Sequence, residues 1–191
     1  HTVLSDGAMD IDQLFHYAKR IHLDYIAVTD HESAHSIPAA LELGRQLDLN
    51  VIPGAEITAR HKETGINVHL LCYYPADTKR LQKRLDKDLE SVIHSYQTLM
   101  DEYPVTMEQL YDAARQSTGI YYTHIMQVLS LMGYTGHPIG ELHQKLFSPG
   151  SPHKFSTDYM YADEAIDLIR SCGGVPVLAH PGQYKNPELM E

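Results

Sequence analysis

Tyr25-Ile26-Ala27-Val28-Thr29-Asp30-His31 is the stretch on which the reading of the fold turns. Residues 25–29 are apolar, aromatic or β-branched and too few for a buried helix, so they read as a buried strand. The run ends in a carboxylate and an imidazole, side chains that a parallel α/β sheet presents at the ends of its strands. Working outward, Asp10 with Gln13 three residues on resembles a capping box opening a helix to about Ile21. Residues 35–48 read as a second helix, with Leu41, Leu43 and Leu47 among its apolar positions. Val51-Ile52 reads as a short strand stopped by Pro53-Gly54, and Ile66 to Tyr74 as another strand rich in β-branched and aromatic residues. Alternation of this kind implies parallel strands in an α/β architecture.

The middle of the chain changes character. From Asp77 to Leu146 the pattern is helical: 78–101, with Leu81, Leu85, Leu89, Val92 and Tyr96 at helical spacing, then 106–117, 123–132 and 138–146. Residues 148–157, with Ser, Pro and Gly, read as a loop. The expected organisation is therefore an α/β part over 1–75, a helical insertion over 76–157, and the α/β part continued over 158–191. In the last part, 162–172 reads as a helix closed by Gly173-Gly174. Val175 to Ala179 follows as a strand that delivers His180-Pro181-Gly182.

Length and composition fit this reading. The 191 residues suit one domain carrying an insertion, and 43% hydrophobic with 21% charged residues is ordinary for a globular chain. The net charge of −10 argues against a basic face for long nucleic acid. Bound divalent cations reverse the field of an acidic site, so a phosphate ester remains a compatible ligand. No apolar run reaches the roughly 20 residues of a membrane span. Cys72 and Cys172 lie in apolar stretches and read as buried small hydrophobes, which fits a reducing cytoplasm.

Histidine is the informative excess, at 13 residues. Several ligand-type side chains fall where strands give way to loops: Asp30 and His31, Glu56 after Pro53-Gly54-Ala55, and His180. His1 and Asp6 open the chain, and His69 lies early in its strand, so only an inward orientation brings it to the others. Taken singly, a histidine at a strand end is more often structural than a ligand, Asp6 before Gly7 fits a turn, and Glu56 fits a loop. Recurrence at successive strand ends favours a metal site, and imidazole with carboxylate suits Mn, Fe or Zn, with Mg also compatible.

These motifs together resemble the polymerase-and-histidinol-phosphatase (PHP) family. Its opening motif, Asp-x-His-x-His-Thr-x-x-Ser-Asp-Gly, is matched from within by His1-Thr2-Val3-Leu4-Ser5-Asp6-Gly7. Its later motifs match Thr29-Asp30-His31, Pro53-Gly54-Ala55-Glu56, Val68-His69-Leu70-Leu71 and Gly173 through Pro181, in family order. The resemblance implies a distorted (β/α)7 barrel and two or three divalent metal ions. It implies His1, Asp6, His31, Glu56, His69 and His180 as metal ligands, with Glu56 bridging two ions. The family's first histidine would precede His1 and its late Asp-x-His pair would follow Glu191, so truncation at both ends is expected.

The insertion resembles that of the branch acting on nucleotides and other small phosphate esters. That branch carries Gly-Arg-Pro-His, where this chain has Tyr121-Tyr122-Thr123-His124. The histidine is kept and the arginine is absent. His124, Tyr122 and Arg60 are the expected substrate-binding residues, with Lys62 a further candidate. Glu56, His180 and Asp30 are expected to carry the reaction, Asp30 by orienting a ligand. The implied activity is metal-assisted hydrolysis of a small phosphomonoester, such as a nucleotide or nucleoside 3',5'-bisphosphate. Histidinol phosphate and a non-catalytic metal- or nucleotide-binding module are the alternatives. No long nucleic acid and no membrane is expected as a partner.

Overall fold

The computed structural model describes residues 1–147 and 159–184 with Asn186 and Leu189, the side chains of 88–95, 97 and 98 excepted. The chain divides into two compact units, His1–Asp86 with Tyr159–Glu191, and Lys87–Asp158.

In the first unit, α1 (Ile11–Arg20) begins where Asp10 accepts a hydrogen bond from the Gln13 amide at 2.8 Å. Strand β1 (Tyr25–Val28) follows, then α2 (Ser36–Leu47), which ends at Asp48 in a left-handed conformation. The buried side chains of Phe15, Ala18, Val28, Ala40 and Leu49 close these elements on one another. Helix α2 lies so close to the next strand that a Cβ on Gly44 would meet Val51 Cγ2 at 2.3 Å.

The sheet departs from the sequence reading in two ways. Strand β2 (Asn50–Arg60) runs straight through Pro53-Gly54 instead of stopping there. It pairs in parallel with β1 from Asn50 to Pro53, and with β3 (Asn67–Tyr73) from Gly54 to Arg60. Pro53, which has no N–H to give, thus sits where one pairing hands over to the other, and its carbonyl accepts from Tyr74 at 2.8 Å. The second departure is direction. The β2–β3 pair is antiparallel, and so is the pair of β3 with β4 (Val175–Leu178). Only residues 61–66 join β2 to β3, far fewer than a parallel crossover needs. The described residues form one four-stranded sheet in the order β1-β2-β3-β4, mixed in direction and not closed into a barrel.

Alternation then sorts β2 and β3. Ala55, Ile57, Ala59, Val68, Leu70 and Cys72 enter a core completed by Leu81, Leu85, Ala165 and Ile169. The last two come from α8 (Ala162–Ser171). The opposite parity leaves Glu56, Thr58 and Arg60 on the other face, beside Asn67, His69 and Leu71.

The second unit is helical. After α3 (Thr78–Ser95) come α4 (Gln97–Glu102), α5 (Met107–Ala113), α6 (Tyr122–Leu131) and α7 (Glu141–Phe147). Tyr96, Leu99, Leu110, Ile125, Met126, Leu129 and Leu146 are fully buried. Among the described residues no helix is long and apolar enough to cross a membrane. The expected loop over 148–157 and the side chains of Leu89 and Val92 lie outside the described residues.

Candidate metal centre

Glu56 stands at the middle of the site. It does not lie in a loop after a strand, as expected from Pro53-Gly54, but inside β2. Its backbone is fixed on both sides of the chain turn that carries His31. Its N–H donates to the Asp30 carbonyl at 3.0 Å, and its carbonyl accepts from Glu32 at 2.9 Å. This continues the parallel pairing past the end of β1 as an isolated bridge between His31 and Glu56. In the antiparallel register Glu56 faces Leu71 and His69 faces Thr58, so Glu56 and His69 are diagonal neighbours on one face. His69 accordingly points inward.

Four imidazoles surround the Glu56 carboxylate. Oε2 lies 3.1 Å from His1 Nε2, while Oε1 lies 2.7 Å from His69 Nδ1, 3.2 Å from His180 Nε2 and 4.0 Å from His31 Nε2. His69 Nδ1 and His180 Nε2 are themselves 3.2 Å apart. The ring centroids of His1 and His31, His31 and His69, and His69 and His180 are separated by 4.4, 4.9 and 4.9 Å. The ligand atoms sort into two groups, His1–His31–Glu56 and Glu56–His69–His180, which share the carboxylate.

The opening turn delivers His1 and Asp6. Ser5 and Gly7 both donate to the Thr2 carbonyl, at 3.1 and 2.9 Å, and the chain folds back on itself. A Cβ on Gly7 would lie 2.4 Å from the His1 carbonyl oxygen, so this close return admits only glycine. Asp6 Oδ1 meets His1 Nδ1 at 2.6 Å, leaving Nε2 for the Glu56 side. Asp6 is thus in contact with the cluster through His1, and it is not among the residues of either three-ligand group. Beneath the turn, Asp30 is fully buried and accepts from the Thr2 N–H at 2.5 Å, the Thr2 hydroxyl at 2.9 Å and the Ser5 hydroxyl at 2.8 Å. These bonds make it the anchor of the turn that presents His1 and Asp6.

Electrostatics divide the imidazoles. Burial works against a charged His1, but its hydrogen bonds to Asp6 and Glu56, and their negative charge, hold its pKa at about 10. Burial pushes His31 down to about 4, the attraction of Glu56 notwithstanding, and the charges of His1 and His69 add to the depression. Burial alone would raise Glu56, yet the hydrogen bonds from His1 and His69 and the charge of His31 hold it well below the usual carboxylate range. A proton shared with His1 thus does electrostatically what a cation would do between Asp6 and Glu56. Neutral His31 and ionised Glu56 are in the protonation states that metal ligation requires. Imidazole nitrogens and carboxylate oxygens are the donor set of Mn, Fe or Zn, so these residues fit such ions.

The expected substrate-binding residues fall in both units. Arg60 lies on the same face of β2 as Glu56, its N–H donating to the Met160 carbonyl at 2.9 Å. Lys62 is exposed and pairs with Asp163 at 2.6 Å. Tyr122 and His124 belong to the second unit. There the Tyr122 ring stacks on Phe147 with centroids 4.3 Å apart, and burial pushes its hydroxyl up to about 12. His124 Nδ1 takes the Tyr121 N–H at 3.0 Å, closing the first turn of α6.

Two residues that the sequence reading passed over support the site. Glu32, buried and with positive φ, accepts the Thr58 N–H at 2.7 Å. The Tyr184 hydroxyl accepts the His69 N–H at 2.8 Å. Glu32 carries a faint sequence signal as a carboxylate beside His31, whereas Tyr184 carries none, because its partner lies on a distant strand.

The sequence profile of the PHP domain matches residues 1–174. The chain is 29% identical over 196 aligned residues to the phosphoribosyl 1,2-cyclic phosphate 1,2-diphosphodiesterase of Eggerthella lenta, covering 100% of this chain and 75% of that protein. It is also 29% identical to the 5'-3' exoribonuclease Rnm of Escherichia coli, covering 96% of this chain and 64% of the relative. A solved structure from Bifidobacterium adolescentis, described as a metal-dependent phosphoesterase, superposes with a TM-score of 0.83 at 23% identity. An amidohydrolase from Chromobacterium violaceum superposes with a TM-score of 0.80 at 22% identity. The chain covers 65% of each of these two structures, and 95% of its own length is matched by each. These two likenesses are ones of fold.

Proposed function

Because the chain belongs to the PHP domain family, we propose that it hydrolyses a phosphate ester with the aid of two or three divalent metal ions. The observation that carries the reading is the shared carboxylate: one oxygen of Glu56 faces His1, the other faces His69 and His180. His1, His31, Glu56, His69 and His180 would hold the ions, with Asp6 joining them or orienting His1. Ions bound there would supply an activated water and neutralise the phosphoryl oxygens. The chain's own residues do the rest. Glu56 keeps its negative charge, His31 stays neutral, and Asp30 holds the turn that presents His1 and Asp6. His180, on the other oxygen of Glu56, completes the site from the end of β4.

The proposed substrate is a small phosphorylated molecule, a nucleotide or nucleoside 3',5'-bisphosphate in the monoester form. Arg60, His124 and Tyr122 are the residues proposed to recognise it. A second reading, a phosphodiester joined to a sugar, is favoured by the names of the two curated relatives, a cyclic-phosphate diphosphodiesterase and an exoribonuclease. The net charge of −10 supports a small substrate over a long polymer. We extend the reading to the fold, with the four-stranded sheet as part of a distorted (β/α)7 barrel and 76–157 as its insertion. The buried, free Cys72 and Cys172 support a reducing cytoplasmic setting.

The test is phosphate or nucleotide release by Mn²⁺-loaded full-length protein from a panel of mononucleotides, a nucleoside 3',5'-bisphosphate, a sugar 1,2-cyclic phosphate, histidinol phosphate and a short 5'-phosphorylated oligoribonucleotide. Release from one class, abolished in Glu56→Gln, is the expected outcome. Metal bound at the site with no release from any of them would refute hydrolysis of these esters and favour a binding module.

A further inference from the structure

Strand β3 keeps β2 on one edge through Asn67, but on its other edge the ladder with β4 stops beside His69. Its carbonyl accepts the Ala179 N–H at 2.9 Å, but β4 has ended at Leu178 and the chain turns away through His180. His180 makes that turn with φ 32 and ψ 54, a left-handed conformation that side chains other than glycine adopt at a cost. In a regular antiparallel ladder the opposed residues would exchange a second bond, from the His69 N–H. Here the Tyr184 hydroxyl accepts that N–H instead, at 2.8 Å. Tyr184 directly follows the 3₁₀ turn Pro181–Gln183, so the same turn that His180 opens returns the phenol to β3. The ring of Tyr184 also lies against the imidazole of His180, with centroids 5.6 Å apart at 44°.

We infer that Tyr184 is a positioning residue for the Glu56–His69–His180 metal group, holding the backbone under one imidazole and the ring of the other. The inference rests on the metal-centre reading above and adds to it a division of labour. Asp30 fixes the turn that brings His1 to Glu56, and Tyr184 fixes the two histidines on the other oxygen of the same carboxylate. Strand β4 does not do the second task, because the left-handed turn at His180 takes the chain out of the ladder just where the His69 N–H needs an acceptor. A side chain that reaches back over the turn meets the backbone demand and sets the facing distance between the two rings.

The experiment is calorimetric titration of the full-length, chelator-treated protein with Mn²⁺, for wild type, Tyr184→Phe, Tyr184→Leu and a His180→Ala reference. The equivalent lost in His180→Ala identifies the group in question. Tyr184→Phe is expected to weaken that equivalent by roughly 10- to 100-fold while leaving the remainder unchanged. Tyr184→Leu, which also removes the ring, should weaken the same equivalent further. Amide hydrogen exchange at His69 in the metal-free protein should speed up in Tyr184→Phe, with the thermal midpoint close to wild type. Unaltered Mn²⁺ binding in Tyr184→Phe, or equal weakening of every equivalent, would overturn the inference. Wild-type protein that binds no Mn²⁺ would instead sink the metal-centre reading beneath it.

Discussion

Replacing Asp30 with asparagine tests how the opening turn is held. The carboxylate is fully buried and receives three hydrogen bonds, from the Thr2 N–H, the Thr2 hydroxyl and the Ser5 hydroxyl. Asparagine keeps the shape but removes the charge and turns one acceptor into a donor. A hydrogen bond to a charged partner contributes about 1.5–3 kcal/mol and a neutral one about 0.5–1.5 kcal/mol. The Thr2 hydroxyl already accepts from the Leu4 N–H at 3.2 Å, so it has limited capacity to take a new donor. Since the three bonds share one turn and do not add fully, the expected loss is about 2 kcal/mol. Urea unfolding of the metal-free protein measures it. The functional consequence follows from geometry. The Thr2–Gly7 turn carries His1 and Asp6, whereas His69 and His180 stand on β3 and after β4. Mn²⁺ titration of Asp30→Asn should therefore weaken the His1–His31–Glu56 equivalent by roughly 10- to 100-fold and spare the one lost in His180→Ala. Equal weakening of both, or a stability change below about 0.5 kcal/mol, would refute the reasoning.

Glu56→Gln should release metal from both groups at once, because each includes that carboxylate, and metal content by mass spectrometry checks it. Gly44→Ala should destabilise the protein by about 1–3 kcal/mol through the collision with Val51, which outweighs the gain of about 1 kcal/mol in helix propensity. A raised urea midpoint would show that α2 moves aside freely. The metal-free protein should lose stability on both sides of neutrality. His31, lowered to about 4 by burial, makes the unfolded chain the better proton acceptor as pH falls from 6.5 through 4. The depressed Glu56 adds to that loss once pH drops below its unfolded value of 4.5. His1, held at about 10 by Asp6 and Glu56 against the effect of burial, contributes fully below pH 6.5 and progressively less as pH rises through 10. Urea unfolding across pH 4–10 with chelator present should trace this dome, and stability that climbs steadily from pH 7 to 10 would contradict the His1 assignment.

Much of the first unit is legible in the sequence because it rests on local rules. Asp10 and Gln13 announce the start of α1, and apolar runs announce β1, β3 and β4, all within a few residues of chain. The candidate ligands were also legible as residue types, through the recurrence of imidazoles and carboxylates near successive predicted strands, although each of them singly has a structural use. Strand direction was not legible: alternation with helices suggested parallel pairing, and only the short 61–66 connection reverses β3 against β2. The path of β2 through Pro53-Gly54 was hidden for a related reason. Proline stops a strand only when a neighbour needs its N–H, and which neighbour lies there is a tertiary matter. The sharing of Glu56 between two imidazole groups, the buried anchorage of Asp30 and the reach of Tyr184 to His69 likewise required coordinates. Local sequence determined which chemistry is available and which segments are regular, because propensity and capping act over a few residues. Register, the left-handed turn at His180 and long-range hydrogen bonds decided which side chains meet, because residues 1 and 56, or 69 and 184, have no relation along the chain that a pattern can express.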